Sequence, residues 1–245
     1  MKGRKIILIM IFVAVALSIA LIYKQRTDPD IVYMCGGFYD TGCRELRLDC
    51  CNEDRCDLRD LKYFSAAEYI DISSLDTDRE ILMPETVSQS SLTFSGCKIR
   101  NNSFRDVPKN IDELRFVGTS VDISEFSNDN IKKLTFILGS IDNFDRLGSC
   151  PAVEELCLHG VGFQGLEQTD IVPVIYELHD SSVFSGFDSL KSLEICQINI
   201  YDISGFLDMQ SLEEICLWEE YISPEDVREL TEAGIRVEFL KHMAV

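Results

Sequence analysis

Hydrophobic residues recur along this chain at a near-constant interval. The clearest copy has apolar residues at positions 190, 193, 195 and 200, and the same set returns 22 residues later at 212, 215, 217 and 222. A polar or mixed residue separates the two members of each close pair, which is the alternation of a strand with one buried face. A fixed period in this range predicts a solenoid of stacked turns.

The close apolar pair recurs ten times, at Leu46/Leu48, Ile70/Ile72, Leu92/Phe94, Leu114/Phe116, Leu134/Phe136, Leu156/Leu158, Tyr176/Leu178, Leu193/Ile195, Ile215/Leu217 and Val237/Phe239. A second apolar column follows seven residues after the first member of a pair, at Ile99, Val121, Ile141, Phe163, Val183, Ile200 and Ile222. One turn buries too few side chains to offset its ordering entropy, so the turns must stack, with strands about 4.8 Å apart.

This pattern resembles the leucine-rich repeat, and within it the 22-residue bacterial subclass of internalin-type surface proteins. Asp122-Ile-Ser-Glu-Phe126 and Asp202-Ile-Ser-Gly-Phe206 fall where that subclass carries a D-I-S-x-L turn. The resemblance covers roughly residues 43 to 245. It implies an α/β solenoid with a parallel β-sheet on the concave face, short helices, 3-10 turns and loops on the convex face, and protein-protein interaction as the function.

The chain departs from the family at the position of its buried asparagine. That position holds other residues in each repeat, namely Cys51, Leu75, Cys97, Thr119, Gly139, Val161, Ser181, Ile198 and Glu220. Because the asparagines would satisfy backbone groups of the loops, we expect a less regular coil than the family norm.

The N-terminal segment predicts export. Residues 6–23 form an uncharged apolar run of 18 residues between basic flanks, long enough to reach about 27 Å and span a bilayer. Three basic residues precede it and two follow, which places the N-terminus in the cytoplasm and the repeats outside. The sequence predicts a single-pass membrane anchor; secretion after cleavage near Ser18-Ile-Ala20 is the alternative.

The predicted organisation has three parts. Residues 1–26 form the cytoplasmic tip and the transmembrane or signal-anchor helix, 27–56 a cysteine-rich juxtamembrane segment and N-terminal cap, and 57–245 the solenoid. Near its end, Ser223 and Pro224 predict a helix start and Gly234 its end, followed by a last strand at 235–239. This helix and strand would close the solenoid.

The chain is strongly acidic. Its net charge is −19, and residues 27–245 hold 18 basic and 42 acidic residues, a charge of −24. Such a body repels phosphate backbones, which excludes nucleic-acid binding and favours solubility or a basic protein partner.

Half of the ten cysteines crowd the predicted cap, at Cys35, Cys43, Cys50, Cys51 and Cys56. At least one disulfide among them would staple the exposed end of the first turn; free thiols packed as small hydrophobes are the alternative. Strand spacing places Cys157 too far from Cys216 to pair, and Cys196 and Cys216 fall in different columns of adjacent turns, so these cysteines are expected to be unpaired.

On the repeat frame, His159, His179, Cys196 and Trp218 each lie three residues after the first apolar residue of their turn. They are therefore expected in one concave column, in which His159, His179 and Cys196 could hold zinc. The alternative is a polar, aromatic contact surface without a metal or other cofactor.

That contact surface is the function we favour. Its predicted partner-binding residues combine carboxylates with imidazoles and the only tryptophan, at Glu155, His159, Glu177, His179, Glu194, Glu214 and Trp218. No nucleophile elbow, zinc-protease signature or phosphate loop accompanies the carboxylates, so we expect no enzyme. The sequence predicts a membrane-anchored, extracytoplasmic protein-binding module; an enzyme or metal-binding protein using the His/Cys column and a structural envelope scaffold are the alternatives.

Overall fold

The computed structural model describes residues 29–51, 57–100, 107–124, 126, 128–163, 166–168 and 175–240. The apolar run 6–23 lies outside this range, as does Cys56. Within the described residues, no helix is both long and apolar enough to cross a membrane.

The predicted parallel sheet is confirmed. Nine strands in the described part of the chain form the main sheet, in spatial order β3 (Glu45–Asp49), β4 (Tyr69–Ser73), β6 (Ser91–Ser95), β8 (Glu113–Asp122), β9 (Lys133–Asp142), β10 (Glu155–Phe163), β13 (Ser192–Cys196), β15 (Glu214–Leu217) and β16 (Arg236–Phe239). Every neighbouring pair in this order is parallel, so each turn of the chain adds one strand beside the previous one.

The apolar pairs build the core. Leu114 pairs with both Leu92 and Leu134, and all three side chains are fully buried. The intervening residues of the strands face away from the core, because successive side chains of a strand alternate between its two faces. We call that outward side of the main sheet the open face.

The second apolar column is also confirmed over four successive turns. Ile99, Val121, Ile141 and Phe163 lie in parallel register and are at most 7% exposed. Short strands accompany this column: β5 (Asp76–Thr77) pairs with β7 (Lys98–Ile99), and β7 with the end of β8. The core of the solenoid therefore lies between the main sheet and this second column.

One predicted turn is wrong. Tyr176 and Leu178 are not in the main sheet, because β10 pairs directly with β13 and Leu156 lies beside Leu193. The strand that holds them, β12 (Tyr176–Leu178), lies instead in a separate three-stranded sheet between β11 (Leu166–Gln168) and β14 (Ile198–Ile200).

The misplacement has a physical reason. Strands of the main sheet and strands of the second apolar column show the same alternation of apolar and polar residues. Leu178 lies beside Ile200, so it occupies the second column that was assigned to Val183. Asp180 then caps a 3-10 helix at Ser181–Phe184, in which Val183 lies, and the chain turns before another strand can begin. The coil is irregular at this turn.

Short helices connect the strands. Over the residues that the structure describes, the 3-10 helices are Arg59–Tyr63, Phe144–Ser149, Ser181–Phe184 and Glu219–Tyr221, and the α-helices are α1 (Ser204–Leu207) and α2 (Pro224–Glu232). Ser223 caps α2 by accepting a hydrogen bond from the Asp226 N–H at 3.1 Å, and Gly234 follows with φ +93°. The predicted final helix and strand are thus confirmed.

A hairpin covers the first turn of the solenoid. It pairs β1 (Ile31–Met34) antiparallel with β2 (Gly37–Asp40), and buries Val32 and Met34. Cys35, in the hairpin turn, has its Sγ 2.7 Å from Cys50 Sγ, just after β3. Cys43 is half-buried and Cys51 is exposed, so the cap brings one particular pair of its cysteines together.

Candidate interaction surface and thiol-imidazole cluster

The open face of β10, β13 and β15 presents cysteine, histidine and glutamate side chains beside one another. On β10, Leu156 and Leu158 point into the core, which turns Cys157 and His159 outward. The parallel register then sets Glu194 beside Cys157 and Cys196 beside His159. Cys216 follows on β15, beside Glu194.

One ring nitrogen of His159 contacts both Cys157 and Glu194. His159 Nε2 lies 2.7 Å from Glu194 Oε1 and 3.2 Å from Cys157 Sγ. All three residues are half-buried. The hydrogen bond from His159 is the main reason that the pKa of Glu194 lies below its usual range.

This arrangement does not supply a nucleophilic cysteine. In a catalytic Cys-His-acid set the two partners contact different ring nitrogens, so that the imidazole can carry a proton from one side while the acid orients the other. Here the thiol and the carboxylate share Nε2. Desolvation, followed by the nearby Glu194 charge, also raises the pKa of Cys157 to about 12.

The two neighbouring thiols are equally protonated at neutral pH. Burial and then the charge of Glu194 raise the pKa of Cys196 to about 12, and burial with Glu214 does the same to the pKa of Cys216. Because the thiolate is the reactive form, these cysteines are poor nucleophiles as they stand.

The predicted acidic stripe contains two basic side chains. Lys133 Nζ lies 2.9 Å from Glu155 Oε2, and Arg236 lies 2.8 Å from Glu214 and 3.4 Å from Glu238. Glu194 contacts His159 instead. Lys133 on β9 and Arg236 on β16 thus neutralise part of the stripe, and the open face is less acidic than the sequence pattern indicated.

The predicted column of two histidines is wrong. His179 follows β12, outside the main sheet, and its ring stacks on Tyr201 at 4.8 Å between centroids. Its Nε2 is 3.3 Å from Glu177 Oε2, so these two predicted residues form their own pair on the second sheet. The expected zinc set of His159, His179 and Cys196 is not assembled, because β12 is not inserted between β10 and β13.

Trp218 continues the row of His159 and Cys196, one position beyond the paired residue Leu217. Its indole stacks on Tyr221, with ring centroids 5.4 Å apart. Trp218 is half-buried at the start of the 3-10 helix Glu219–Tyr221. An amphipathic aromatic ring held in this way is a typical anchor for a protein contact.

Of the predicted contact residues, the open face thus holds Glu155, His159, Glu194, Glu214 and Trp218. The contact of Cys157 with His159 was not predicted from the sequence, in which Cys157 was treated as an unpaired strand residue. Aligning Glu155-Leu-Cys-Leu-His159 directly with Ser192-Leu-Glu-Ile-Cys196 would have found it, but only if the Tyr176 strand was left out.

Comparison with known proteins gives a likeness in structure. No family model matches the chain, and neither does any curated protein. Among solved structures, an internalin (inlF) from Listeria monocytogenes aligns with a TM-score of 0.43 at 13% identity, over 83% of this chain and 69% of that one. Internalin C2 (inlC2) from the same organism aligns with a TM-score of 0.42 at 18% identity, over 79% of this chain and 80% of the other.

Proposed function

We propose that this protein is an extracytoplasmic protein-binding module, held at the membrane by residues 6–23, whose ligand docks on the open face of the main sheet. The observation that carries the proposal is the row of imidazole, thiol and indole groups at His159, Cys196 and Trp218, flanked by carboxylates. His159 and Trp218 are half-buried, and the Cys196 thiol between them is buried. Partly covered aromatic and charged side chains on a rigid sheet lose little entropy when a partner orders them.

Charge favours a partner with exposed lysine or arginine. The solenoid body as a whole is strongly acidic, and this attraction comes from the body, because Lys133 and Arg236 already pair with Glu155 and Glu214 on the open face. Such a charge distribution accelerates the encounter with a basic protein at low salt more than it tightens the final complex.

The first prediction tests this surface. The double variant Glu155→Lys with Trp218→Ala should reduce capture of the ligand by the full-length chain at least tenfold, because one hot-spot aromatic alone contributes about 2 kcal/mol or more. Cross-linking in intact cells, with quantification of the captured partner against wild type, measures the loss.

The matched control is Glu232→Lys with Tyr33→Ala. It makes the same charge and aromatic changes at exposed positions on α2 and β1, away from the open face. Equal loss in both double variants would rule out the open face as the contact. A wild-type chain that captures no specific protein would favour a structural scaffold.

A further inference from the structure

The open face also carries a set of metal-ligand atoms that the sequence pattern did not assemble. Cys157 and His159 stand two residues apart on β10, and Glu194 lies beside Cys157 on β13. Their Sγ, imidazole nitrogen and carboxylate oxygen all lie within 4.8 Å of one another. Because all three side chains come from strand interiors of one sheet, the set is held by rigid backbone.

The spacing is close to that of a tetrahedral zinc site. Zinc bonds of about 2.3 Å to sulfur and about 2.0–2.2 Å to nitrogen or oxygen place neighbouring ligand atoms roughly 3.3–3.6 Å apart. The contacts observed at His159 Nε2 are 3.2 Å to Cys157 and 2.7 Å to Glu194. Both contacts lie within about 1 Å of the spacing that zinc requires, and the sulfur and the carboxylate oxygen lie within 4.8 Å of each other.

The mixture of donors selects the class of ion. Sulfur and imidazole nitrogen are poor ligands for Ca²⁺ and Mg²⁺, which take oxygen, whereas a thiolate, an imidazole and a carboxylate together suit Zn²⁺. The three side chains are half-buried, so solvent reaches the fourth position. Lys133 and Arg115 are nearby positive charges, and Glu155 holds the ammonium group of Lys133 at 2.9 Å.

A neighbouring set is less suitable. Glu214, Cys216 and Glu238 also bring ligand atoms together, but Arg236 lies between their carboxylates at 2.8 Å and 3.4 Å. A cation there would have to displace the guanidinium group. The set on β10 and β13 has an imidazole in that position, which can itself become a ligand.

We infer that Cys157, His159 and Glu194 form a binding site for one Zn²⁺ or a similar thiophilic divalent ion, with the fourth position open to solvent. Binding replaces the thiol proton by the metal and releases that proton to the buffer. This site differs from the expected set of His159, His179 and Cys196 in two of its three ligands, and it does not depend on the proposed protein ligand.

The test is titration of the reduced, full-length chain, in mild detergent, with Co²⁺ and then with Zn²⁺ in competition with a chromophoric chelator. We expect one tight site per chain and a sulfur-to-cobalt charge-transfer band. Cys157→Ser should abolish the band, and His159→Gln should weaken zinc binding by more than about 10–100-fold, the loss caused by removing only an outer partner of a ligand. Glu194→Gln should weaken it as well.

Cys216→Ser is the matched control, since it removes a neighbouring thiol that lies outside the proposed set, and it should leave both the band and the affinity unchanged. The inference is overturned if Cys216→Ser has the larger effect, or if Cys157→Ser with His159→Gln binds zinc as tightly as wild type. Capture of the protein ligand is measured separately, so failure of either proposal leaves the other intact.

Discussion

A single carboxylate, Asp202, links two turns of the solenoid. Its Oδ2 accepts hydrogen bonds from the backbone N–H and the hydroxyl of Ser181, each at 2.7 Å, while Oδ1 accepts from the Ser204 N–H at 3.2 Å. The Ser181 hydroxyl oxygen in turn accepts from the Gly205 N–H at 2.7 Å. The turn that begins at Asp202 therefore makes a loop-to-loop connection.

Gly205 is required at the same connection. A Cβ atom at this position would lie 2.1 Å from the carbonyl oxygen of Ser181, far inside van der Waals contact. The two turns can approach so closely because residue 205 has no side chain, and this approach brings Ser181, which is fully buried, within reach of Asp202.

The stabilisation by Asp202 should depend on pH. Desolvation disfavours its charge, but the hydrogen bonds from Ser181 and Ser204 outweigh that effect and hold its pKa at about 2. An unfolded aspartate has a pKa of about 3.9. Since the folded value is the lower one, the stabilisation is present above about pH 4 and is lost as the pH falls through about 2.

Asp202→Ala should therefore lower the free energy of unfolding by about 1–3 kcal/mol at pH 7, because it leaves buried donors of Ser181 without their acceptor. Urea unfolding at pH 7 and at pH 2.5 should show the difference from wild type shrinking in acid. Asp208→Ala, at an exposed site nearby, should have little effect at either pH. A difference that is equal at both pH values would contradict this account.

At the scale of elements, aromatic rings from neighbouring strands of the main sheet stack on one another in the core. Phe94, Phe116 and Phe136 lie on successive strands β6, β8 and β9. Their ring centroids are 5.6 Å and 4.9 Å apart, with the planes within 17° of parallel. Phe116, in the middle, therefore packs against both neighbouring turns at once.

Phe116→Ala should destabilise the protein by about 3–5 kcal/mol, through the lost burial and the cavity left between two turns. Chemical denaturation monitored by circular dichroism measures the change. Phe239→Ala is the matched control: this ring is 43% exposed on the last strand, and its loss should change stability by less than about 0.5 kcal/mol. Similar losses in both variants would mean that the rings do not support a common core.

The cap also gives a prediction at this scale. Because Cys35 Sγ and Cys50 Sγ are 2.7 Å apart, oxidised glutathione should join them, taking two electrons and two protons and leaving two molecules of reduced glutathione. The new disulfide closes a loop of about 15 residues, worth roughly 3 kcal/mol in the chain-entropy model.

Peptide mapping without reduction should identify a cross-link between Cys35 and Cys50, and thermal unfolding should occur at a higher temperature than in the reduced chain. Cys43→Ser should preserve both results, whereas Cys50→Ser should abolish the cross-link. A dominant cross-link through Cys43 or Cys51 would refute the pairing.

At the scale of the whole molecule, negative charge acts against folding. Ion pairs connect neighbouring turns, as between Lys109 and Glu85 at 2.7 Å and between Lys191 and Glu154 at 2.8 Å. These pairs are exposed, so solvent screens them and each adds little to stability. Residues 27–245 still carry 24 more negative than positive charges, so repulsion dominates the electrostatics of the folded body.

Raising the sodium chloride concentration from about 10 mM to about 150 mM should therefore raise the Tm, because the screening length falls from about 30 Å to about 8 Å. The expected shift is about 2–4 °C for each kcal/mol of repulsion that is screened. Calorimetry in sodium and potassium chloride should give the same shift, since the effect is one of ionic strength. A lower Tm in salt would show that the ion pairs outweigh the repulsion.

The amino-acid sequence determined the solenoid by itself, because burial requires an apolar side chain at each inward position of every turn. Leu114, Ile99 and Val121 are recognisable without coordinates for this reason, and so is the capped helix that begins after Ser223. These signals are local: each depends on spacing within one turn or on residues next to a helix end.

Only the tertiary structure decided which strands are neighbours and hence which outward side chains meet. Tyr176 and Leu178 would show the same alternation in the main sheet and in the second apolar column, and the repeat period does not distinguish these two positions. Direct pairing of β10 with β13 separates His159 from His179 and joins it to Glu194 and Cys157. A cluster on the face of a sheet depends on strand order and register, which are properties of contacts between distant turns.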